Sequence, residues 1–162
     1  MRSNKPERRL KELVRISGGT ISVAESCTGG MISHLITSVP GASGYYLGSV
    51  TSYSPVIKTE LLQVCPSLIS EKGIVSKEVA SAMAEGVRKL TGSKYSVSTT
   101  GWADKTGDEH EAAGTVWIGI SGPGGTVTER FINSGSRSQN IRAFSEEAIK
   151  QLVLYIENDI KH

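Results

Sequence analysis

Short apolar runs alternate with amphipathic segments along most of this chain, and that order limits the folds open to it. The first amphipathic segment, RRLKELVRIS, ends at a glycine pair and carries one apolar face, formed by Leu10, Leu13, Val14 and Ile16. The run TISVA that follows is rich in β-branched residues and predicts a strand. Because this order recurs, the sequence predicts an α/β fold: a three-layer α/β/α sandwich around a mixed, mostly parallel sheet.

The later segments continue the pattern. GGMISHLITS predicts a helix that ends at Pro40-Gly41, and YYLGSVTSY predicts a strand. SPVIKTELLQV begins with a Ser-Pro helix start, and Ser76 can cap a helix that Gly92 ends. YSVSTT and GTVWIGI predict strands, and SGPGG joins the second of them to TVTERFIN in a predicted antiparallel hairpin. A capping box of Ser136 and Gln139 opens a long C-terminal helix.

Length and charge limit the functional classes. The chain has 162 residues, of which 38% are hydrophobic and 21% charged, and this predicts one globular domain over residues 1–162. Its net charge is +2, with lysine and arginine interleaved among acidic residues, which argues against a nucleic-acid partner. The charged N-terminus does not match a signal peptide, and no apolar run is long enough to span a bilayer. Two cysteines make no disulfide framework and no metal-ligand spacing. We therefore expect a cytoplasmic protein without membrane contact.

The stretch SVAESCTGGMISHL carries the strongest chemical signal. Its strand ends at Ser26, and in open α/β sheets ligands bind at the carboxyl ends of the strands. Backbone amides of the following helix could hold a phosphate or an oxyanion there, and Gly29 and Gly30 permit close approach. The alternative is a plain helix cap made by Ser26 or Thr28. Cys27 is a rival nucleophile, although a small buried apolar role suits it better.

A serine nucleophile needs a base, and the chain offers few. The three histidines, His34, His110 and His162, support a Ser-His-Asp triad poorly, because none is placed near Ser26. A lysine can serve when burial keeps it neutral, and Lys58 lies among apolar neighbours after a predicted strand. The alternative for Lys58 is an ordinary solvated lysine on a helix.

Five motifs in order give a family resemblance: AESCTGG, VPGAS, GSVTSYS with Lys58 after it, GIVSKEVASAMAEG and GTVWIGI. Together, from about Thr20 to Arg142, the chain resembles the CinA C-terminal domain family, which includes nicotinamide mononucleotide deamidases. The resemblance implies an amidohydrolase without metal or cofactor, in which Ser26 is the nucleophile and Lys58 the base. Tyr53 would relay a proton or position the substrate. It also implies a stand-alone domain and a homodimer, although many relatives carry a further N-terminal domain.

The same resemblance implies how a nucleotide would be held. Amides from Cys27 through Thr28 and Gly29 to Gly30 would bind the oxyanion. Arg137, with Arg142 further along the helix, would bind the phosphate. The alternative for both arginines is exposure on a capped helix.

One loop departs from the family pattern. Thr100 and Gly101 match it, but Trp102, Ala103 and Asp104 replace a glycine-rich segment. The indole of Trp102 could stack on a pyridine ring, block the pocket or only pack, and the acidic residues that follow predict a solvated loop. The departure leaves three functions open: hydrolysis of nicotinamide mononucleotide, hydrolysis of another small amide, or nucleotide binding without catalysis.

Overall fold

The computed structural model describes residues 5–162, which form one five-stranded sheet with helices on both faces. The helices are α1 (Pro6–Ser17), α2 (Met31–Thr37), α3 (Pro55–Glu60), α4 (Pro66–Lys72), α5 (Lys77–Thr91) and α6 (Arg137–Lys161). The strands are β1 (Ile21–Glu25), β2 (Tyr46–Thr51), β3 (Tyr95–Gly101), β4 (Thr115–Gly122) and β5 (Gly125–Ile132). A short 3-10 turn, Ala42–Gly44, precedes β2.

The sheet is mixed, in the order β2-β1-β3-β4-β5. Strand β1 is parallel to β2 and β3, whereas β4 is antiparallel to both β3 and β5, so only β4 runs against the other four. The prediction of a mostly parallel α/β sheet with a late hairpin is confirmed. Glu25 pairs with Thr51 on one side and Thr99 on the other, so β1, β2 and β3 end at the same edge.

Two apolar clusters fill the space between the sheet and the helices. The larger one packs α1, α2 and α6 against one face, and the smaller one packs α5 and the α3–α4 region against the other. Helix α5 lies very close to the sheet, since a Cβ at Gly119 would stand only 2.3 Å from the Ala80 carbonyl oxygen. Two buried strand serines bond the helix directly: Ser98 donates to that oxygen at 2.5 Å and Ser96 to the Ala84 oxygen at 2.6 Å. These two hydroxyls are therefore satisfied without water.

Four of the predicted helix-end residues act as expected in the structure. Gly18 ends α1 in the left-handed conformation, Ser54 and Ser76 cap α3 and α5, and Ser136 forms the predicted capping box with Gln139.

Three details differ from the sequence predictions. Ile16 is 66% exposed, because it lies about 200° around the helix from Val14 and so leaves the buried face. Helix α2 ends at Thr37, before the predicted Pro40-Gly41 stop. Helix α4, which begins at Pro66, was not predicted. None of its residues is fully buried, and only Leu68 and Ile69 pack partly against the smaller cluster, so its apolar stripe is too short to indicate a helix. Over residues 5–162, no helix has the length and apolarity that a membrane crossing requires.

Candidate active site

Ser26 and Lys58 meet at the edge of the sheet where β1 and β2 end. The Lys58 Nζ lies 2.9 Å from the Ser26 Oγ and 2.6 Å from the Ser52 carbonyl oxygen. Lys58 is fully buried, and Ser26 is only 9% exposed. The alternative of a solvated helix lysine is therefore wrong for Lys58, and Ser26 is more than a helix cap.

Helix α3 turns Lys58 inward by its local sequence. Ser54 caps the helix by accepting from the Val56 amide, and Pro55 occupies its first turn, where no amide is needed. Lys58 is the one buried residue of this helix, whereas Val56 is 61% exposed. The burial pattern of α3 is thus the reverse of an ordinary surface helix, where the lysine would face water and the valine the core.

Burial changes the protonation of both groups that could assist catalysis. It lowers the pKa of Lys58 from 10.5 to about 8, because the charged ammonium loses its water. Burial also raises the pKa of the neighbouring Cys27 thiol to about 12. A substantial fraction of Lys58 is consequently neutral near pH 8, whereas Cys27 stays a thiol and is a poor nucleophile.

Glu25, which was not predicted as a site residue, stabilises the turn that places Ser26 at the end of β1. Its carboxylate is fully buried and accepts from the amides of Ile32 at 2.9 Å and Ser33 at 3.1 Å in the first turn of α2. It also accepts from the Thr28 hydroxyl at 2.7 Å, and that hydroxyl lies 2.8 Å from the Thr99 hydroxyl. The Thr28 hydroxyl is therefore buried in the scaffold and bonds a carboxylate, where the sequence offered it as a helix cap.

The turn leaves fewer amides for an oxyanion than the sequence suggested. The Gly29 amide donates to the Ser26 carbonyl oxygen at 3.1 Å, so it is already used. Gly29 and Gly30 have φ of 58° and 99°, so these glycines serve the turn itself. Among the described residues, the amides of Cys27, Thr28 and Gly30 donate no hydrogen bond to the backbone. Of these three residues, only Cys27 lines the cavity beside Ser26, so its amide is the best placed to receive an anion.

A cavity of about 290 Å³ opens beside Ser26. Seven of the predicted site residues line it: Ser26, Cys27, Tyr53, Thr100, Gly101, Trp102 and Arg137. Five do not, namely Thr28, Gly29, Gly30, Arg142 and Lys58, although the Lys58 amine contacts Ser26, which does line it. No histidine lines this cavity, and residues 5–162 contain no cluster of three or more potential metal ligands.

Arg142 lies away from the cavity, which corrects the prediction that it holds phosphate. Its guanidinium bonds the Glu146 carboxylate at 2.6 Å, and about half of the side chain is exposed. Five residues along a helix turn the side chain by about 140°, so Arg142 cannot share the face of Arg137.

Arg137 lies at the start of α6 and contacts two side chains across the cavity. It donates to the Tyr53 hydroxyl at 2.9 Å and forms an ion pair with Asp104. Both contacts raise the pKa of Arg137, the Tyr53 contact more. The Tyr53 hydroxyl makes no bond to Ser26 or Lys58 among the described residues, so its position favours substrate positioning over proton relay.

The β3–β4 loop is more ordered by side chains than the predicted solvated loop. Besides the Asp104 pair, Glu111 accepts from Arg130 at 2.8 Å and from the Trp117 indole at 2.8 Å. Trp102 lines the cavity without closing it, and its indole nitrogen is buried with no hydrogen-bond partner among residues 5–162. Thr100 is held by a hydrogen bond to the Ile74 oxygen at 2.8 Å. The loop thus forms one wall of the pocket.

The fold and the site define a class: an α/β protein with a buried serine–lysine pair beside a pocket, at the carboxyl edge of a mixed sheet. The chain belongs to the CinA C-terminal domain family, whose sequence model matches residues 3–156. The resemblance read from the sequence is confirmed.

Relatives and solved structures agree with this assignment. A "CinA-like protein" of Geotalea uraniireducens (strain Rf4) is 44% identical over 131 residues, covering 80% of this chain and 31% of that protein. A "CinA-like protein" of Geobacter sp. (strain M21) is 47% identical over 132 residues, covering 81% of this chain and 32% of that protein. The chain thus spans about a third of the length of these relatives. A crystal structure of a competence-damaged protein (CinA) superfamily protein from Enterobacter cloacae superposes with a TM-score of 0.89 at 26% identity, covering 93% of this chain and 90% of that one.

Proposed function

We propose that this protein is an amidohydrolase that converts nicotinamide mononucleotide to nicotinate mononucleotide and ammonia, with Ser26 as nucleophile and Lys58 as base. The observation that carries the proposal is the 2.9 Å contact between the Ser26 hydroxyl and a fully buried lysine. The lowered pKa of about 8 supplies that lysine with a free electron pair near neutral pH. The family resemblance supplies the substrate.

The first half of the reaction would use the neutral amine of Lys58. The amine takes the proton of the Ser26 hydroxyl while the oxygen attacks the carboxamide carbon. The carboxamide oxygen becomes negative and accepts from the Cys27 amide, whose residue lines the cavity. Lys58, now an ammonium, keeps its bond to the Ser52 oxygen and gives a proton to the leaving nitrogen. Ammonia departs, and the nicotinoyl group remains as an ester on Ser26.

The second half repeats the same proton movements with water. Neutral Lys58 removes a proton from a water molecule, and the resulting hydroxide attacks the ester carbon. The proton then returns from Lys58 to the Ser26 oxygen as the acid leaves. One base therefore serves both halves, and no other titratable group is required at the serine.

Arg137 and Tyr53 are suited to the phosphate end of the substrate. A guanidinium at the start of a 25-residue helix combines its charge with the helix dipole. The Tyr53 hydroxyl fixes that guanidinium at the cavity wall. Trp102 in the same wall offers a flat apolar surface to a pyridine ring.

The test is ammonia release from nicotinamide mononucleotide, with free nicotinamide and glutamine as control substrates. We expect Ser26→Ala and Lys58→Met to lose activity at least about a thousandfold, the usual loss for a nucleophile or its base. Circular dichroism would verify that both variants fold. Cys27→Ala is the matched control at the adjacent position and should retain turnover. Activity that survives in Ser26→Ala but not in Cys27→Ala would refute the assignment.

A second candidate function is supported by the ion pair of Arg137 with Asp104. Since the guanidinium already holds a carboxylate, the site could prefer an amide that lacks a phosphate. Hydrolysis of such an amide, without hydrolysis of the nucleotide, would favour this candidate. Binding of the nucleotide with no turnover of any amide would instead indicate a binding protein. We further propose a homodimer, to be tested by light scattering on the purified chain, and a cytoplasmic location, to be tested by cell fractionation.

A further inference from the structure

Asp104 pairs with the Arg137 guanidinium, the group that would bind a ligand phosphate. Its carboxylate makes this ion pair, and both residues line the cavity that contains Ser26. The other terminal nitrogen of that guanidinium bonds the Tyr53 hydroxyl. The positive charge of the pocket wall is therefore already balanced by a negative one.

The backbone next to Asp104 is anchored to the helix that carries Arg137. The Asn140 side chain, only 2% exposed, donates to the Ala103 carbonyl oxygen at 2.8 Å. The Asn140 oxygen in turn accepts from the Gly135 amide at 2.9 Å. These bonds tie the loop to the start of α6, so Asp104 is presented to Arg137 from a fixed point. The pairing therefore follows from the fold of the loop.

A phosphate and a carboxylate compete for the same donors. Both bind a guanidinium through two oxygens, and two anions on one guanidinium repel each other. A phosphorylated ligand must therefore displace Asp104 or accept its repulsion, whereas an unphosphorylated ligand meets neither cost. The carboxylate is about half exposed, so its displacement by rotation into water is open.

We propose that Asp104 is a specificity-determining residue that competes with the ligand phosphate for Arg137 and so reduces the preference for a nucleotide over its nucleoside. For the identity of the nucleotide, this rests on the proposed function. The competition itself concerns only phosphate and Arg137, and it can be measured with ligands that have no amide.

The experiment compares binding to wild type and Asp104→Asn by calorimetry. The ligands are ribose 5-phosphate, with ribose as its uncharged counterpart, and nicotinamide mononucleotide with its dephosphorylated nucleoside, the last two in a Ser26→Ala background. We expect Asp104→Asn to tighten both phosphorylated ligands about fivefold, the scale of an exposed ion pair, and to change ribose and the nucleoside less than about twofold. Glu109→Gln removes an 87% exposed carboxylate from the same loop and should change nothing.

A second pair of variants tests whether the effect passes through Arg137. In an Arg137→Gln background, Asp104→Asn should no longer improve phosphate binding, because the contested group is gone. Weaker or unchanged phosphate binding by Asp104→Asn would overturn the proposal, and so would an equal gain for the nucleoside. If Asp104→Asn tightens ribose 5-phosphate while the wild type hydrolyses no amide, the competition stands and the proposed function fails.

Discussion

Replacing Lys58 by methionine tests the central feature of the site without any substrate. Methionine keeps the unbranched shape of the side chain and removes the amine that is buried beside Ser26. The folded protein holds the pKa of Lys58 at about 8, whereas the unfolded chain returns it to 10.5. Between these values the unfolded chain binds a proton that the folded protein does not bind. The stability of the wild type relative to Lys58→Met must therefore rise with pH across this window.

The size of this change in stability follows from the difference between the folded and unfolded pKa of Lys58. A difference of about 2.5 pKa units corresponds to a penalty of about 3 kcal/mol, fully present below pH 8 and absent above 10.5. Between pH 7 and pH 9.5 the wild type should regain about 2 kcal/mol of the folding free energy that this penalty removes. For a chain of this length, that recovery is a change of about 4–8 °C in the difference between the two melting temperatures.

The assay is urea unfolding of wild type and Lys58→Met at several pH values from 7 to 9.5. All other ionisable side chains are the same in both proteins, so their effects on stability cancel in the difference. Lys150→Met, at a position whose side chain is 57% exposed, is the matched control and should stay parallel to the wild type. A constant difference between wild type and Lys58→Met over this range would refute a neutral, desolvated amine at position 58.

Three further predictions address the rest of the site. The value of kcat/KM should rise with pH and level off above about 8, as Lys58 loses its proton, and a flat profile from pH 6 to 9 would contradict its role as base. Glu25→Gln should lower the free energy of unfolding by about 2 kcal/mol or more, because a buried carboxylate that accepts three hydrogen bonds is lost, and urea titration would measure this. Tyr53→Phe should raise KM for the nucleotide severalfold at nearly constant kcat, since the hydroxyl orients Arg137; a fall in kcat at constant KM would indicate proton relay instead.

The fold was largely predictable because its signals are local. Ser54, Ser76 and Ser136 each stand directly before a helix, and each caps it as the sequence indicated. The alternation of strands and helices then fixed the class. Helix α4 was missed because its seven residues offer only one adjacent apolar pair that packs on the core, Leu68 and Ile69, which is too little to show a helical period.

The site was predictable in part, and the reason lies in the range of its contacts. Ser26 stood out because it ends a buried strand, whereas Lys58 looked like a surface lysine until the family resemblance paired the two. Glu25 is buried by contacts to residues that follow it, and nothing in AES distinguishes a buried glutamate from an exposed one. Asp104 meets Arg137 across 33 positions of sequence, a contact that no local pattern encodes.

The oxygen that accepts from Lys58 at the end of β2 belongs to the main chain of residue 52. Any amino acid at that position would offer the same acceptor, so substitution there cannot remove the partner of the amine. The basicity of the Lys58 amine is therefore adjusted mainly by the side chains that exclude water around that amine. Within this architecture, the working pH of the protein would evolve through packing and not through exchange of a polar neighbour.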